Sequence, residues 1–200
     1  MTSHQLEHAP ARRPFVVSIV GPSASGKSQL AKGTAAGLGE SLASRIPTDF
    51  FFIPRATDQP LPDFLRQPLQ YEWSLIAHLI AQPIGTAVST PDADFTGFQR
   101  RADSGGLPFT ILPVMIADAM AAFPDADLLV RLDVPDDVRR ERLRERDVRW
   151  GSNVSANWEH LIVTWHAALE EMRLADITLD GERSITVNAG ALADEIRARL

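Results

Sequence analysis

Two glycines, a lysine and a serine follow one another near the start of the chain with a regular spacing. They belong to the run Gly21, Pro22, Ser23, Ala24, Ser25, Gly26, Lys27 and Ser28. The run matches the pattern G-x-x-x-x-G-K-[ST], whose glycines let successive backbone N–H groups converge on phosphate oxygens. In this pattern the lysine reaches the β- and γ-phosphates of a nucleotide, and the hydroxyl ligates Mg²⁺. Residues 21–28, called the phosphate loop below, therefore predict binding of ATP and Mg²⁺. A glycine-rich turn with a solvated lysine is the alternative.

The elements around the phosphate loop alternate between strands and helices. Short runs rich in apolar or β-branched residues predict strands over residues 15–20, 114–117, 128–134 and 184–187, and a second short strand is predicted over residues 44–47. Spacing and end signals predict helices over residues 27–38, 71–82, 136–147, 155–174 and 191–200. This alternation predicts a mainly parallel sheet of about five strands with helices on both faces, and such sheets bind ligands at the carboxyl ends of their strands. The loops expected to meet at that edge begin at Gly21, Thr48, Asp118 and Pro135.

The composition excludes several kinds of protein. The chain has 20 Lys+Arg against 26 Asp+Glu, a net charge of −6, and no cysteine. Disulfides and thiolate metal sites are therefore excluded, and an acidic chain with scattered arginines lacks the basic face of a nucleic-acid binder. No run approaches the ~18 apolar residues of a membrane helix, and residues 1–14 lack the apolar segment of a signal peptide. We expect a cytoplasmic protein with a leader at 1–14, a single domain at 15–200, and no nucleic-acid or membrane partner.

The basic residues are divided unevenly between lysine and arginine. Only Lys27 and Lys32 are lysines, and Lys27 falls within the phosphate loop. A second concentration of positive charge is the arginine-rich helix that follows Pro135. Its alternating charges are typical of a solvated face laced with ion pairs. The alternative is a lid over residues 139–152 that closes on a ligand, with Arg142 and Arg146 one turn apart on one face.

The phosphate loop and its context resemble the uridine kinase and nicotinamide riboside kinase group of P-loop small-molecule kinases. The resemblance runs, with gaps, from Phe15 to about Gly181. Residues 48–51 are similar to the acidic residue and aromatic pair after the group's second strand, and residues 91–95 with Arg100 to its substrate-side segment. Asp118 is similar to the acidic residue that ends a strand near Mg²⁺. The resemblance implies a three-layer α/β/α P-loop NTPase fold with an arginine-bearing lid.

The same resemblance implies a role for particular side chains. It makes Asp49 the acceptor of the substrate hydroxyl's proton, which suits phosphoryl transfer because that reaction needs positioning, neutralised charge and one proton acceptor. The expected catalytic residues are Lys27, Asp49, Arg142 and Arg146. The expected substrate-binding residues are Asp49, Phe51, Asp94 and Arg100, and the expected metal-linked residues are Ser28 and Asp118. Asp49 as a turn cap and Asp118 as a helix cap stay open as alternatives.

Three positions depart from the group's pattern and leave the acceptor open. Ala93 and Phe98 stand where uridine kinases carry a tyrosine and a histidine that help to hold the nucleoside, and Ala119 replaces a usual glycine. The first expectation is a kinase for the hydroxyl of a nucleoside. Nicotinamide riboside, pantothenate or a sugar-like alcohol is an alternative acceptor, and a catalytically degenerate ATP-binding module is an alternative of another class. Whether the donor is ATP or GTP, and whether the chain forms a homo-oligomer, also stay open.

Overall fold

A five-stranded parallel sheet forms the centre of the molecule. The computed structural model describes residues 13–65, 67, 69–95, 97–101, 105–151, 154–159 and 174–200. The sheet has the strand order β2-β7-β1-β8-β9, and every neighbouring pair is parallel. Its strands are β1 (Phe15–Val20), β2 (Ala43–Ile46), β7 (Val114–Ala119), β8 (Leu128–Asp133) and β9 (Ile177–Asp180). The two innermost strands, β1 and β7, are almost entirely buried, as expected for apolar runs covered on both faces.

Helices cover both faces of this sheet. On one face lie α1 (Lys27–Leu38) and α5 (Ile185–Arg199), with Leu30, Leu192 and Ile196 completely or almost completely buried. On the other face lies α3 (Trp73–Ile80), which buries Ile76 and Ile80. Successive side chains of β1 and β7 point alternately into the apolar cluster on one face of the sheet and the cluster on the other. The helices on both faces therefore pack against the same two strands. The predicted three-layer α/β/α architecture is confirmed.

Two short antiparallel pairs occupy the region that the sequence marked as rich in turns. They are β3 (Ala87–Ser89) with β6 (Pro108–Thr110), and β4 (Ala93–Asp94) with β5 (Gln99–Arg100). A five-residue helix, α2 (Leu61–Leu65), lies in the proline-rich segment before α3. The β4–β5 pair is attached to the segment that follows β2, because Arg55 N–H donates to the Phe98 carbonyl oxygen and Arg100 donates to the carbonyl oxygens of Phe50 and Phe52.

The predicted strand at 184–187 is wrong. The last strand is β9, and residues 185–199 form α5 instead. The β-branched residues Ile185, Thr186 and Val187 suggested a strand, but Ser184 caps the helix: its hydroxyl oxygen accepts the Val187 N–H at 3.3 Å. Capping and packing against α1 outweigh the weak local preference of three β-branched residues.

The arginine-rich helix is α4 (Asp136–Trp150), longer at its end than predicted and more firmly anchored. Leu143 and Arg139 are completely buried in it. Of the expected leader, only Arg13 and Pro14 belong to the described residues, and most of the predicted helix at 155–174 and the end of the proposed lid lie outside them. From that segment, the described Ser155 donates its N–H to Asp147 Oδ2 of α4 at 2.7 Å, and Trp158 is buried.

Candidate active site

Four loops meet at the carboxyl edge of the sheet, as the strand order requires. The phosphate loop follows β1, a 3₁₀ turn (Thr48–Phe51) follows β2, Asp118 lies near the end of β7, and α4 follows β8. Because β1, β7 and β2 are adjacent and parallel, the phosphate loop, Asp118 and Asp49 are brought to one place. The predicted clustering of these groups is therefore observed.

The phosphate loop is folded into an anion cradle. Ala24 and Gly26 have left-handed backbone angles, φ 64° and φ 96°. Gly21 has no room for a side chain, since a Cβ there would lie 2.6 Å from the Ser25 hydroxyl oxygen. Among the described residues, no acceptor is recorded for the N–H groups of Ala24, Gly26 or Lys27, and α1 begins at Lys27 without a side-chain cap. Free N–H groups at a helix N-terminus fit phosphate oxygens.

Lys27 extends from the first turn of α1 into the same space. Its Nζ donates a hydrogen bond to the Pro22 carbonyl oxygen at 3.2 Å, so the ammonium group lies across the mouth of the phosphate loop. Burial lowers the pKa of Lys27, while the negative charges of Asp49 and Asp118 act in the opposite direction. The Lys27 ammonium group is thus close enough to both carboxylates for their negative charges to affect its pKa.

Asp49 occupies the 3₁₀ turn after β2 and is half-buried. Burial raises the pKa of this carboxyl group, the Lys27 charge opposes the rise, and Asp118 adds to it. Thr48 fixes the turn, because its hydroxyl donates to the Ile46 carbonyl oxygen at 3.1 Å and accepts the Asp118 N–H at 3.3 Å. A carboxylate whose pKa is raised toward neutrality suits a proton acceptor.

Asp118 is completely buried and is held by Arg45. Arg45 Nε donates to Oδ1 at 2.5 Å and Nη2 donates to Oδ2 at 3.0 Å, so both carboxylate oxygens are bonded. The hydrogen bond and charge of Asp118 raise the pKa of Arg45 in spite of its burial. Sequence reasoning found Asp118 but missed Arg45, because only the β2–β7 pairing brings the two side chains together.

Two arginines of α4 hold the back of the phosphate loop. Arg139 Nε donates to the Ser23 carbonyl oxygen at 3.2 Å, and its guanidinium lies 5.0 Å from the centre of the Trp158 ring. Arg142 donates to the carbonyl oxygens of Ser25 at 3.3 Å and Gly181 at 3.0 Å. Sequence reasoning missed Arg139, which the alternating charges of α4 marked as solvent-facing. The positive charge of Arg146 acts on both Lys27 and Asp49, so this arginine faces the site.

The substrate-side residues divide into two groups. Phe51 was expected to contact the substrate, but it is completely buried in the apolar cluster under α3, because its position in the 3₁₀ turn faces the core. Arg100 is bonded to the protein itself: it donates to the carbonyl oxygens of Phe50 and Phe52 and to Glu72. Asp94 stays half-buried and lies 3.5 Å from Arg101.

Comparison with known proteins gives a consistent result. The chain is 29% identical over 150 residues to a uridine kinase from Deinococcus deserti, covering 68% of this chain and 70% of that protein. A candidate kinase of a fructose transport system, from Silicibacter sp. TM1040, has a structure that matches with a TM-score of 0.62 and 25% identity over 86% of this chain and 93% of its own. No family model matches the chain. The chain is a small-molecule kinase of the P-loop class.

The fold of the kinase extends to more distant proteins. Deoxyadenosine kinase from M. mycoides matches with a TM-score of 0.52 at 9% identity, over 91% of this chain and 99% of that one. At such low identity the match concerns the fold alone. Together with the Deinococcus relative, these comparisons confirm the resemblance to the uridine kinase-like group and to its three-layer fold. No helix among the described residues is long and apolar enough to cross a membrane.

The oxygen donors at the phosphate loop fit Mg²⁺. Magnesium in nucleotide sites is held by one or two protein oxygens, by phosphate oxygens and by water. Ser28 supplies a hydroxyl in the first turn of α1 and Asp118 a carboxylate on the adjacent strand. Since Arg45 occupies one lone pair on each Asp118 oxygen, a second lone pair on each is left for a metal-bound water. No group of three or more potential metal-ligating side chains (His, Cys, Asp or Glu) is found in the described parts of the chain.

Arg100 of the kinase positions the turn that carries Asp49, and its removal should lower activity. Substitution by methionine removes charge-assisted hydrogen bonds to two backbone carbonyls, for which we expect a loss of about 2 kcal/mol in unfolding free energy. Loss of the turn's position should lower kcat more than it raises the KM for ATP. Denaturant unfolding and steady-state kinetics measure both effects.

The matched control for this experiment is Arg101→Met. Arg101 is the next residue, its side chain is 59% exposed, and its ion pair with Asp94 is long at 3.5 Å. An exposed pair of this kind contributes little to stability. If R100M and R101M had equal stability and kcat, Arg100 would have no special role in holding the turn.

Proposed function

We propose that this kinase transfers the γ-phosphoryl group of ATP to a hydroxyl group of a nucleoside-like metabolite. The observation that carries the proposal is the placement of Asp49 beside Lys27 at one edge of the sheet, with each charge acting on the other. This arrangement supports Asp49 as the proton acceptor and the phosphate loop as the place where the γ-phosphate binds. Asp118, a second carboxylate at the end of a strand, is the residue that we propose helps to bind the metal ion, as the sequence predicts.

In the proposed reaction Asp49 takes the proton of the acceptor hydroxyl. The hydroxyl oxygen then forms a bond to the γ-phosphorus, and the bond from that phosphorus to the β–γ bridging oxygen breaks, leaving ADP and a phosphomonoester. Lys27 and Arg146 neutralise negative charge on the transferring group. Mg²⁺, when bound through Ser28 and Asp118, would neutralise charge on the β- and γ-phosphates.

Arg142 is also proposed to act in catalysis, and its hydrogen bonds indicate that it does so by holding the phosphate loop. Its guanidinium bridges the carbonyl oxygens of Ser25 and Gly181, behind the phosphate loop. From there it holds the loop in shape while Arg146, one helical turn later, faces Lys27 and Asp49. These two hydrogen bonds use two of the five N–H groups of the guanidinium, so a contact with phosphate oxygens does not require either bond to break.

The preference for a nucleoside-like acceptor is supported by an aromatic surface next to Asp49. The rings of Phe50 and Phe95 meet edge to face at 5.1 Å, and Phe95 is 43% exposed. A flat base can stack on such a surface while its ribose hydroxyl points toward Asp49. The uridine kinase from Deinococcus deserti supports this acceptor class. The Silicibacter structure favours the second candidate, a sugar-like alcohol, and nicotinamide riboside and pantothenate complete the set to be tested.

The acceptor class can be tested with a panel of candidate substrates. The protein is incubated with Mg·ATP, or Mg·GTP in a second series, and nucleosides, nicotinamide riboside, pantothenate or sugars, and nucleoside diphosphate release is followed. We expect nucleosides to stimulate release above the Asp49→Asn background. Stimulation by sugars alone would overturn the nucleoside proposal and keep the kinase. If no acceptor stimulates turnover although ATP binds, the catalytically degenerate ATP-binding module is the better description.

Phe95→Ala should separate nucleoside from sugar acceptors. Removal of the exposed ring takes away the stacking surface, which is worth roughly 1–3 kcal/mol per base in proteins that stack bases. We therefore expect the KM for a nucleoside to rise by about tenfold or more, with the KM for ATP unchanged. The matched control is Phe64→Ala, which removes a ring that contacts Phe98 rather than Phe50. An unchanged nucleoside KM in F95A would place the acceptor elsewhere.

A further inference from the structure

Arg45 forms an ion pair with the completely buried Asp118 of the site, and no motif pointed to it. It bonds both oxygens of Asp118, whose side chain is completely buried, while its own side chain is 23% exposed. We propose that Arg45 is a positioning residue of the kinase: it neutralises Asp118 so that Lys27 stays available for the phosphates of ATP. This inference rests on the proposed function of the same site.

The sheet register explains why the pair forms. Arg45 lies opposite Ile116 in the parallel β2–β7 pairing, and Asp118 is two residues beyond Ile116. Side chains two apart on a strand share a face, so Arg45 and Asp118 lie on one face of the sheet. Ile116 belongs to the apolar cluster that includes Leu30 of α1. The ion pair is therefore on the same face as the helix whose first turn carries Lys27 and Ser28.

The charges around this pair determine what Arg45 must do. A completely buried carboxylate is unfavourable without a partner, and an unpaired one attracts the nearest cation. The negative charges of Asp49 and Asp118 both act on the Lys27 ammonium group, which lies at the end of a flexible side chain. With Arg45 in place, Asp118 already has two charge-assisted hydrogen bonds. Without Arg45, Asp118 would compete with ATP for Lys27 and would repel the phosphates.

Removal of both partners tests whether the effect of Arg45 on ATP binding comes from the charge of Asp118. Loss of Arg45 alone leaves a buried negative charge, whereas the double substitution Arg45→Met with Asp118→Asn leaves no such charge. If Arg45 acts on Lys27 through Asp118, nucleotide binding that is lost in the single variant returns in the double variant. A double-mutant cycle of this kind isolates the coupling between the two residues.

The test measures ATP binding by calorimetry, with no acceptor and no turnover, in the presence and absence of Mg²⁺. In both conditions we expect Arg45→Met to raise the Kd for ATP by about tenfold, because an uncompensated charge lies near the phosphates. Arg45→Lys keeps the positive charge but loses the paired N–H donors of the guanidinium. This variant should bind ATP within about threefold of the wild type. The double variant R45M/D118N should bind within about threefold of D118N.

Several outcomes overturn the inference. ATP binding by R45M that equals the wild type would do so, as would a double variant no better than R45M. If R45M does not fold, R45M/D118N is compared with D118N: equal Kd values support the inference, and a folded double variant that binds ATP ten times more weakly than D118N contradicts it. A wild type that binds ATP but phosphorylates no acceptor removes the proposed function while this inference stands.

Discussion

Substitution of Asp49 by asparagine is expected to reduce kcat by a factor of about 10²–10⁴ and, at the same time, to stabilise the protein near neutral pH. The loss of activity follows from the loss of the proton acceptor beside the phosphate loop. The gain in stability follows from burial, which raises the pKa of Asp49: burial disfavours the negative charge of this side chain, and asparagine carries no charge. Steady-state kinetics and thermal unfolding of the same preparations measure both effects.

The stability gain of D49N should depend on pH in a defined direction. An acid whose pKa in the folded state lies above its ordinary value of 3.8 contributes stability that is complete below that value and is lost as the pH rises through the folded-state pKa. Asparagine does not titrate, so the Tm of D49N should exceed that of the wild type by an amount that grows from about pH 4 toward neutrality. For a chain of this size about 1 kcal/mol shifts Tm by roughly 2–4 °C.

Asp58→Asn provides the matched control for this pH series. Asp58 is an exposed carboxylate in the segment after the 3₁₀ turn, so its substitution changes the net charge by the same amount without touching the site. D58N should follow the wild type in activity and in Tm across the pH range. A D49N protein that is less stable than the wild type at neutral pH would show that the Asp49 charge stabilises the fold, contrary to this account.

The parts of the site that could be predicted from the sequence are those fixed by local backbone chemistry. The phosphate loop needs glycines at two positions and a lysine at a third, so its eight residues identify it without any knowledge of the fold. The positions of Asp49 and Asp118 could be predicted because each lies at the carboxyl end of a predicted strand, and parallel strands bring those ends to one edge, while their roles came from the family resemblance. At these residues the local sequence pattern and the order of the strands both predicted the same edge of the sheet.

The residues that sequence reasoning missed depend on contacts between distant segments. Arg45 is one polar residue in a short strand, and its role exists only because β2 pairs with β7 in one register. Arg139 lies in a helix whose charges suggest solvent, yet its contact with Ser23 joins positions 116 residues apart. Phe51 was assigned to the substrate by its place in a motif, but the direction of its side chain is set by packing under α3.

The two lysines of the chain provide the second large prediction. Lys27→Met is expected to lower kcat/KM by a factor of about 10²–10³ and to weaken ATP binding, because it removes the ammonium group at the mouth of the phosphate loop. Lys32→Met is the matched control, since Lys32 is an exposed residue of the same helix, α1, and carries the same charge. Kinetics and calorimetry on both variants, with circular dichroism to confirm folding, measure the difference.

Lys27→Arg shows whether charge alone is sufficient at this position. Every basic residue of the chain except Lys27 and Lys32 is an arginine, so arginine meets most needs for positive charge in this protein. At position 27 the ammonium group bonds the Pro22 carbonyl oxygen and is influenced by the charges of Asp49 and Asp118, and a planar guanidinium does not replace a compact ammonium on a flexible stem in such a role. We therefore expect K27R to lose most of the activity that K27M loses. Wild-type activity in K27R, or equal losses in K27M and K32M, would contradict the assignment of the phosphates to this loop.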